Sequence, residues 1–306
     1  MPADALSDAI CKSISEAIGK PFRGRVRGGG LGGSWSSASL LRSDDGGEGE
    51  DFFVKLGAPE AVSMFSAEFE GLREMQQTQS VRVPAPVCYG IAERRSFIVM
   101  ESLNLGAGGA DSYRQLGEQL AAMHRHSSDG RGYGWHRGNT IGATPQINTW
   151  TEDWPTFFVE HRLRYQFRLA DRRGHPFHDH EVVLQRVKEV LAEHCTHHQV
   201  MPSLVHGDLW GGNVAVLSDS GEPVIYDPAT YYGDREVDLA MSELFGRLPG
   251  PFYSAYHAVW PIPPGYQEAR REIYNLYHIL NHGALFGEGY YQQAESMVRS
   301  IMRYAG

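Results

Sequence analysis

Cysteine is scarce: three thiols, Cys11, Cys88 and Cys195, are spread over 306 residues. Their odd number and wide spacing exclude a disulfide framework and a zinc knuckle, and they fit a reducing compartment. Long apolar runs are missing as well, with no segment near the roughly 18 uninterrupted apolar residues that a membrane-spanning helix needs. The opening stretch, MPADALSDAICKSISEAIGK, carries Asp4 and Asp8 where a signal peptide would place basic residues and then an apolar block. A cytoplasmic protein with no membrane partner is the expectation. Excess positive charge is also lacking. The 28 Lys and Arg stand against 37 Asp and Glu, a net charge of −9, and such a field repels phosphate backbones, so no nucleic-acid partner is expected. No repeat and no biased tract is present, which sets aside solenoids and disorder.

What is present is an ordinary globular composition, 42% hydrophobic and 21% charged, on a chain long enough for one large domain or two lobes. Ala5, Ile10, Ile14 and Ile18 recur at helical spacing and predict an amphipathic opening helix lying against the first lobe. Residues 23–41 are rich in Gly and Ser, and short β-branched and aromatic runs follow at Phe52-Phe53-Val54-Lys55 and at residues 96–100. Between them, Val62, Phe65, Phe69 and Leu72 mark one apolar face of a helix over 61–77. Pro84 and Pro86 are read as a break in regular structure, and the glycines of residues 102–109 as a hinge. The division is therefore 1–101 for a small β-rich lobe with one inserted helix, 102–109 for the hinge and 110–306 for a larger lobe. Helical periods at 113–126, 154–171, 180–194 and 266–286, with short β pieces at 213–217 and 223–227, make that second lobe mainly helical.

Chemistry is concentrated in Leu204-Val205-His206-Gly207-Asp208-Leu209-Trp210-Gly211-Gly212-Asn213, followed by Val224-Ile225-Tyr226-Asp227-Pro228. An Asp, four residues, an Asn, a strand and a second Asp is the order in which protein-kinase-like enzymes place a base and two Mg²⁺ ligands. Asp208 is the candidate base, and Asn213 and Asp227 are the candidate metal ligands. Upstream, the turn Gly28-Gly29-Gly30 could bring backbone N–H groups to phosphates, which needs residues without a Cβ. Lys55 ends the Phe-Phe-Val strand, and Glu68 or Glu70 on the helix after it could orient the ammonium. The two glutamates lie about 200° apart around the helix, and the apolar positions do not choose between them. Trp210, two residues from the base, is the best candidate for stacking on a sugar and attracting an amine. Trp154, Phe157 and Phe158 read as core. The histidines at 175, 178, 180, 194, 197 and 198 read as a solvated connection rather than a metal site, and one of Asp234, Glu236 and Asp238 is expected to cap a helix or anchor the catalytic loop.

With Trp after His-Gly-Asp-Leu, the segment 206–213 resembles the signature of the fructosamine and ketosamine 3-kinases. Pro145-Gln146-Ile147-Asn148-Thr149-Trp150, Asp153-Trp154-Pro155-Thr156-Phe157-Phe158, Ile225-Tyr226-Asp227-Pro228-Ala229, Glu243-Leu244-Phe245-Gly246 and Leu280-Asn281-His282 agree with it. The resemblance implies an α+β, two-lobed protein-kinase-like fold of the aminoglycoside phosphotransferase type. It also implies ATP-dependent phosphorylation of the 3-hydroxyl of a ketosamine, free or protein-linked, which destabilises the glycation adduct and regenerates the amine. Under it, Asp208 is the base, Asn213 and Asp227 hold Mg²⁺, Lys55 binds phosphate and Glu68 is its partner. The backbone of Met100, Glu101, Ser102 and Leu103 reads adenine, and His282 contacts substrate. Leu31 stands where some family members have a Cys, so no thiol switch is expected at that loop, and the strict G-x-G-x-x-G of protein kinases is absent. The same catalytic set would serve another alcohol, such as an aminoglycoside, choline or homoserine, but Trp210 and the tryptophan-rich middle segment favour a ketosamine. The presence of Lys55, Asp208, Asn213 and Asp227 together argues against a pseudokinase.

Overall fold

Alternation along a single strand sorts side chains to two sides of a sheet, and the chain builds a layer on each side. The structure, a computed structural model, describes residues 2–27, 37–44 and 50–304. Gly28, Gly29, Gly30 and Leu31 lie outside the described residues. Helix α1 (Pro2–Ile18) precedes β1 (Gly24–Arg27), β2 (Ser37–Ser43) and β3 (Phe52–Gly57). Helix α2 (Val62–Gln77), β4 (Pro86–Ala92) and β5 (Arg95–Glu101) complete this part. The strands form an antiparallel sheet in the order β1-β2-β3-β5-β4. On β3, Phe52, Val54 and Leu56 join Ile10, Cys11 and Ile14 of α1 and Phe97 and Val99 of β5 in one apolar cluster. Each such side chain contributes about 1.5–3 kcal/mol when fully buried. The alternate residues Phe53 and Lys55 point to the other side, into a cleft. There α2 packs Phe65, Leu72 and Met75 against Ile98 and Met100 of β5.

Two local readings change. Lys55 is inside β3 rather than at its end, opposite Ala38 on β2 and Ile98 on β5, because the strand runs on to Gly57. Pro86 opens an edge strand instead of breaking structure; at the first residue of an edge strand its missing N–H costs no ladder bond.

The chain then crosses to a second, mainly helical part. Strand β6 (Leu105–Gly106) leads to α3 (Ala110–Met123) and the hairpin β7 (Asn139–Ile141) and β8 (Thr144–Gln146). Helices α4 (Trp154–Phe158) and α5 (Arg164–Arg172) are joined by a π-helical turn at Val159–Leu163, and α6 (His180–His197) follows. Strands β9 (Ser203–Val205), β10 (Val214–Leu217), β11 (Pro223–Ile225) and β12 (Tyr231–Gly233) then carry the loops of the site. Helices α7 (Glu236–Leu244), α8 (Gly250–Val259), α9 (Arg271–Phe286) and α10 (Glu288–Arg303) close the fold. Residues 102–109 are tied into this part: β6 pairs with β10, and Ser218 N–H donates to the Asn104 carbonyl at 2.9 Å. Trp154, Phe157 and Phe158 are fully buried, as core residues should be. Helices α3 and α8 cross so closely at Gly117 that a Cβ there would lie 2.2 Å from the Phe252 carbonyl oxygen. Among the described residues no helix is long and apolar enough to cross a membrane.

Candidate active site

The loop between β9 and β10, residues 206–213, is held from beneath by one buried carboxylate. Asp238 on α7 accepts the main-chain N–H of His206 at 2.7 Å and of Gly207 at 2.8 Å. His124 Nε2 lies 3.0 Å from the same carboxylate, and its Nδ1 lies 2.8 Å from the Tyr256 hydroxyl. Burial alone would raise the Asp238 carboxyl, but the hydrogen bond and charge of His124 and the loop N–H groups hold it below its usual range. Asp238 is thus the loop anchor expected among the three acidic residues. Gly207 has φ +81°, and a Cβ there would fall 2.2 Å from the Ala229 carbonyl oxygen, so only glycine fits. His206 accepts the Asp208 N–H on Nδ1 at 3.2 Å, so it donates from Nε2 to the Tyr226 carbonyl at 2.9 Å. The histidine therefore braces the loop that carries Asp208 against the segment that carries Asp227.

Asp208 and Asp227 face one cleft from two loops. Burial, and then the charge of Asp227, push the Asp208 carboxyl up to about 7, while a hydrogen bond from Asn213 opposes the rise. Asn213 is buried and donates its amide to the Asp208 main-chain carbonyl at 2.8 Å. That commits the nitrogen and leaves the amide oxygen as the group available to a cation. Asp227 has φ +58°, a left-handed conformation uncommon for a residue with a side chain and one that clusters at functional sites. Lys55 Nζ lies 2.6 Å from Glu68 Oε1 and 2.6 Å from Asp227 Oδ1. Burial would lower the ammonium, but the two carboxylates override it and raise it. Glu68 is raised by burial against the pull of Lys55. The choice between the glutamates is settled by their partners, since Glu70 pairs with His136 and Arg137, each at 2.6 Å.

Lys55, Glu68, Asp208, Asn213 and Asp227 all line one cavity of about 540 Å³. Phe53, Met64, Pro84, Met100, Leu103 and Leu105 give the same cavity an apolar wall. Met100, Glu101 and Leu103 line it, whereas Ser102 does not. Glu101 donates its N–H to the Ala85 carbonyl at 2.9 Å and pairs its carboxylate with Arg82, so its side chain is engaged within the protein. Trp210 is on the cavity wall and exposed, with its indole laid over Gly212, where a Cβ would come within 2.3 Å of the ring.

His282 is not on the cavity wall. Its ring packs against Phe245 at 4.6 Å, Tyr290 at 5.2 Å and Phe286 at 5.4 Å, and it reaches Trp210 only through Phe245. One helical turn earlier, His278 brings Nδ1 to 4.0 Å from Asp208 Oδ1. The sequence reading missed His278 because the apolar spacing of α9 makes it look like core. His194 also departs from the expected solvated connection. It is buried, with Nε2 3.4 Å from Asp234 and 4.0 Å from Glu236. Arg270 donates to both oxygens of Glu236 and Tyr274 to Asp234, so those carboxylates are already partnered within the protein.

A family model for fructosamine kinase matches residues 6–304. The chain belongs to the fructosamine kinase family. A Synechocystis protein named as a probable ketoamine kinase is 48% identical over 294 residues, covering 96% of this chain and 96% of that one. The chloroplastic protein-ribulosamine 3-kinase of Oryza sativa subsp. indica is 43% identical over 275 residues, 89% of this chain and 77% of that protein. A solved structure from Haemophilus somnus 129PT, provisionally named fructosamine-3-kinase, superposes with a TM-score of 0.85 at 27% identity, covering 98% of each chain. The α+β, two-lobed arrangement of this family member is the protein-kinase-like fold.

Proposed function

We infer that the cleft binds ATP and transfers its γ-phosphoryl group to the 3-hydroxyl of a ketosamine, a sugar carried on an amine either free or within a protein. The observation that carries this reading is the meeting of Lys55 with Glu68, and of Asp208, Asn213 and Asp227, in one cavity of about 540 Å³ that also has an apolar wall. Lys55, oriented by Glu68, is assigned to the phosphates. Gly28, Gly29 and Gly30 are assigned to the phosphates, and the backbone of Met100 to Leu103 to adenine. Asp208 takes the proton of the acceptor hydroxyl; a carboxyl raised to about 7 is matched to that exchange near neutral pH. Asn213 and Asp227 offer hard oxygen donors, the chemistry that Mg²⁺ selects. The ion, when bound, neutralises charge on the phosphates. Trp210 supplies the aromatic face for the sugar, and His282 supports it through Phe245 rather than by touching substrate.

In this reading residues 1–101 form the nucleotide-side lobe, 102–109 the connection and 110–306 the lobe carrying the base and acceptor site, acting in the cytoplasm. Phosphorylation of the 3-hydroxyl destabilises the adduct and frees the amine, which makes the reaction a repair step. ATP consumption measured against ketosamines and unrelated alcohols tests the reading directly.

A further inference from the structure

We propose that His278 is a positioning residue for the base, closing a hydrogen bond from Nδ1 to Asp208 Oδ1 when the cleft fills and so fixing the rotamer in which the carboxylate meets the acceptor hydroxyl. The inference rests on the assignment of Asp208 as base. Among the described residues Nδ1 of His278 is buried and has no hydrogen-bond partner, and a buried polar nitrogen left unpaired is costly. The facing group is Asp208 Oδ1 at 4.0 Å. A shift of about 1 Å brings that pair to hydrogen-bond distance. The other carboxylate oxygen, Oδ2, faces the Asn213 amide at 3.4 Å, so the two oxygens have different neighbours, and a contact at Oδ1 would determine how the group is turned.

The ring is placed for this and little else. The His278 carbonyl is engaged by His282 Nδ1 at 2.8 Å, and the Tyr277 ring packs beside the imidazole at 5.1 Å. Both contacts hold the helix and ring in place and leave Nδ1 facing the base. Burial, helped by His282, pushes the imidazole down to about 3, so it stays neutral. A neutral donor steadies a carboxylate without neutralising it, whereas an imidazolium would form an ion pair and compete with the hydroxyl for the same lone pair.

The test compares His278→Leu with His278→Asn in steady-state kinetics, using whichever alcohol the wild-type protein phosphorylates. Asparagine places an amide nitrogen where the imidazole Nδ1 stands; leucine fills the space without a donor. The expected result is a kcat lowered about 10- to 100-fold in His278→Leu, with KM for ATP and for the alcohol changed by less than about threefold, and kcat largely restored in His278→Asn. Equal kcat values for wild type and His278→Leu, or a loss in His278→Asn as large as in His278→Leu, would overturn the proposal. If the leucine variant does not fold, His278→Asn decides alone: activity near wild type supports the role, and its loss refutes it. Turnover only on a non-ketosamine alcohol would refute the substrate reading while still testing His278, and no turnover on any alcohol would remove both.

Discussion

At the scale of single residues, the site depends on one carboxyl kept partly against its ordinary chemistry. Asp208 is raised to about 7 by burial and by Asp227, so in the folded protein its ionised form is disfavoured. The sign follows from linkage: for a carboxyl raised on folding, the penalty is full above pH 7 and disappears as the pH falls toward the ordinary carboxyl range near 4. Asp208→Asn removes that penalty. It should abolish phosphoryl transfer yet stabilise the protein at pH 8 by on the order of 2 kcal/mol, discounted because the side chain keeps 23% exposure, and the gain should vanish near pH 4. Denaturant midpoints across that range check it; a variant that is inactive and equally stable at both ends would contradict the assignment. Gly212 makes a second residue-scale prediction. A methyl there meets the Trp210 indole at 2.3 Å, so Gly212→Ala should displace the ring and raise KM for the ketosamine about tenfold while KM for ATP stays unchanged. At this scale the sequence was legible where chemistry dictates spacing, as in Asp208, Asn213 and Asp227. It was silent where distant segments decide. Glu68 and Glu70 differ only because His136 and Arg137 take Glu70.

At the scale of elements, the loop of residues 206–213 owes its shape to helix α7 behind it. Asp238 satisfies two loop N–H groups and faces His124, and all of these lie in the interior. Replacing it with Asn removes the charge and puts a donor amide where the loop needs acceptors. Asp238→Asn should therefore destabilise the fold by about 1–3 kcal/mol, as leaving buried loop donors unsatisfied does, with a matching fall in thermal midpoint. A change below about 1 kcal/mol would show that the loop holds itself. Helical periodicity exposed α2, α3, α6 and α9, because their apolar faces are long enough to repeat. The two-residue β6 and the three-residue strands β7, β8, β9 and β12 carry too few residues for any period to register, and α7 is buried nearly all round, so it has no polar face to mark it. His278 stayed hidden for the same reason, as a histidine on a helix whose inner face is otherwise core.

At the scale of the whole molecule, helix α2 is one of the elements that fasten the two parts together, beside the Lys55–Asp227 pair and the main-chain bond from Ile225 N–H to the Arg82 carbonyl. Helix α2 sends Glu68 to Lys55 in the sheet, Glu70 to His136 and Arg137, and Glu74 to Trp135 Nε1 and the Tyr232 hydroxyl, each of the last two at 2.6 Å. The element that carries Glu68, the partner of Lys55, is thereby fastened to the part that carries Asp208, which ties the relative placement of Lys55 and Asp208 to the packing of both halves. The two-part plan was legible from the shift from β-rich to helical patterning near residue 100, whereas these cross-connections were not, since each joins residues more than sixty positions apart. The acceptor is tested by Mg²⁺-dependent ATP consumption with ribulosyl-lysine, fructosyl-lysine, a glycated protein, kanamycin and choline, with Asp208→Asn as the blank. Turnover on a ketosamine that disappears in Asp208→Asn is the predicted result; turnover confined to kanamycin or choline, or ketosamine turnover that survives in Asp208→Asn, would contradict the account.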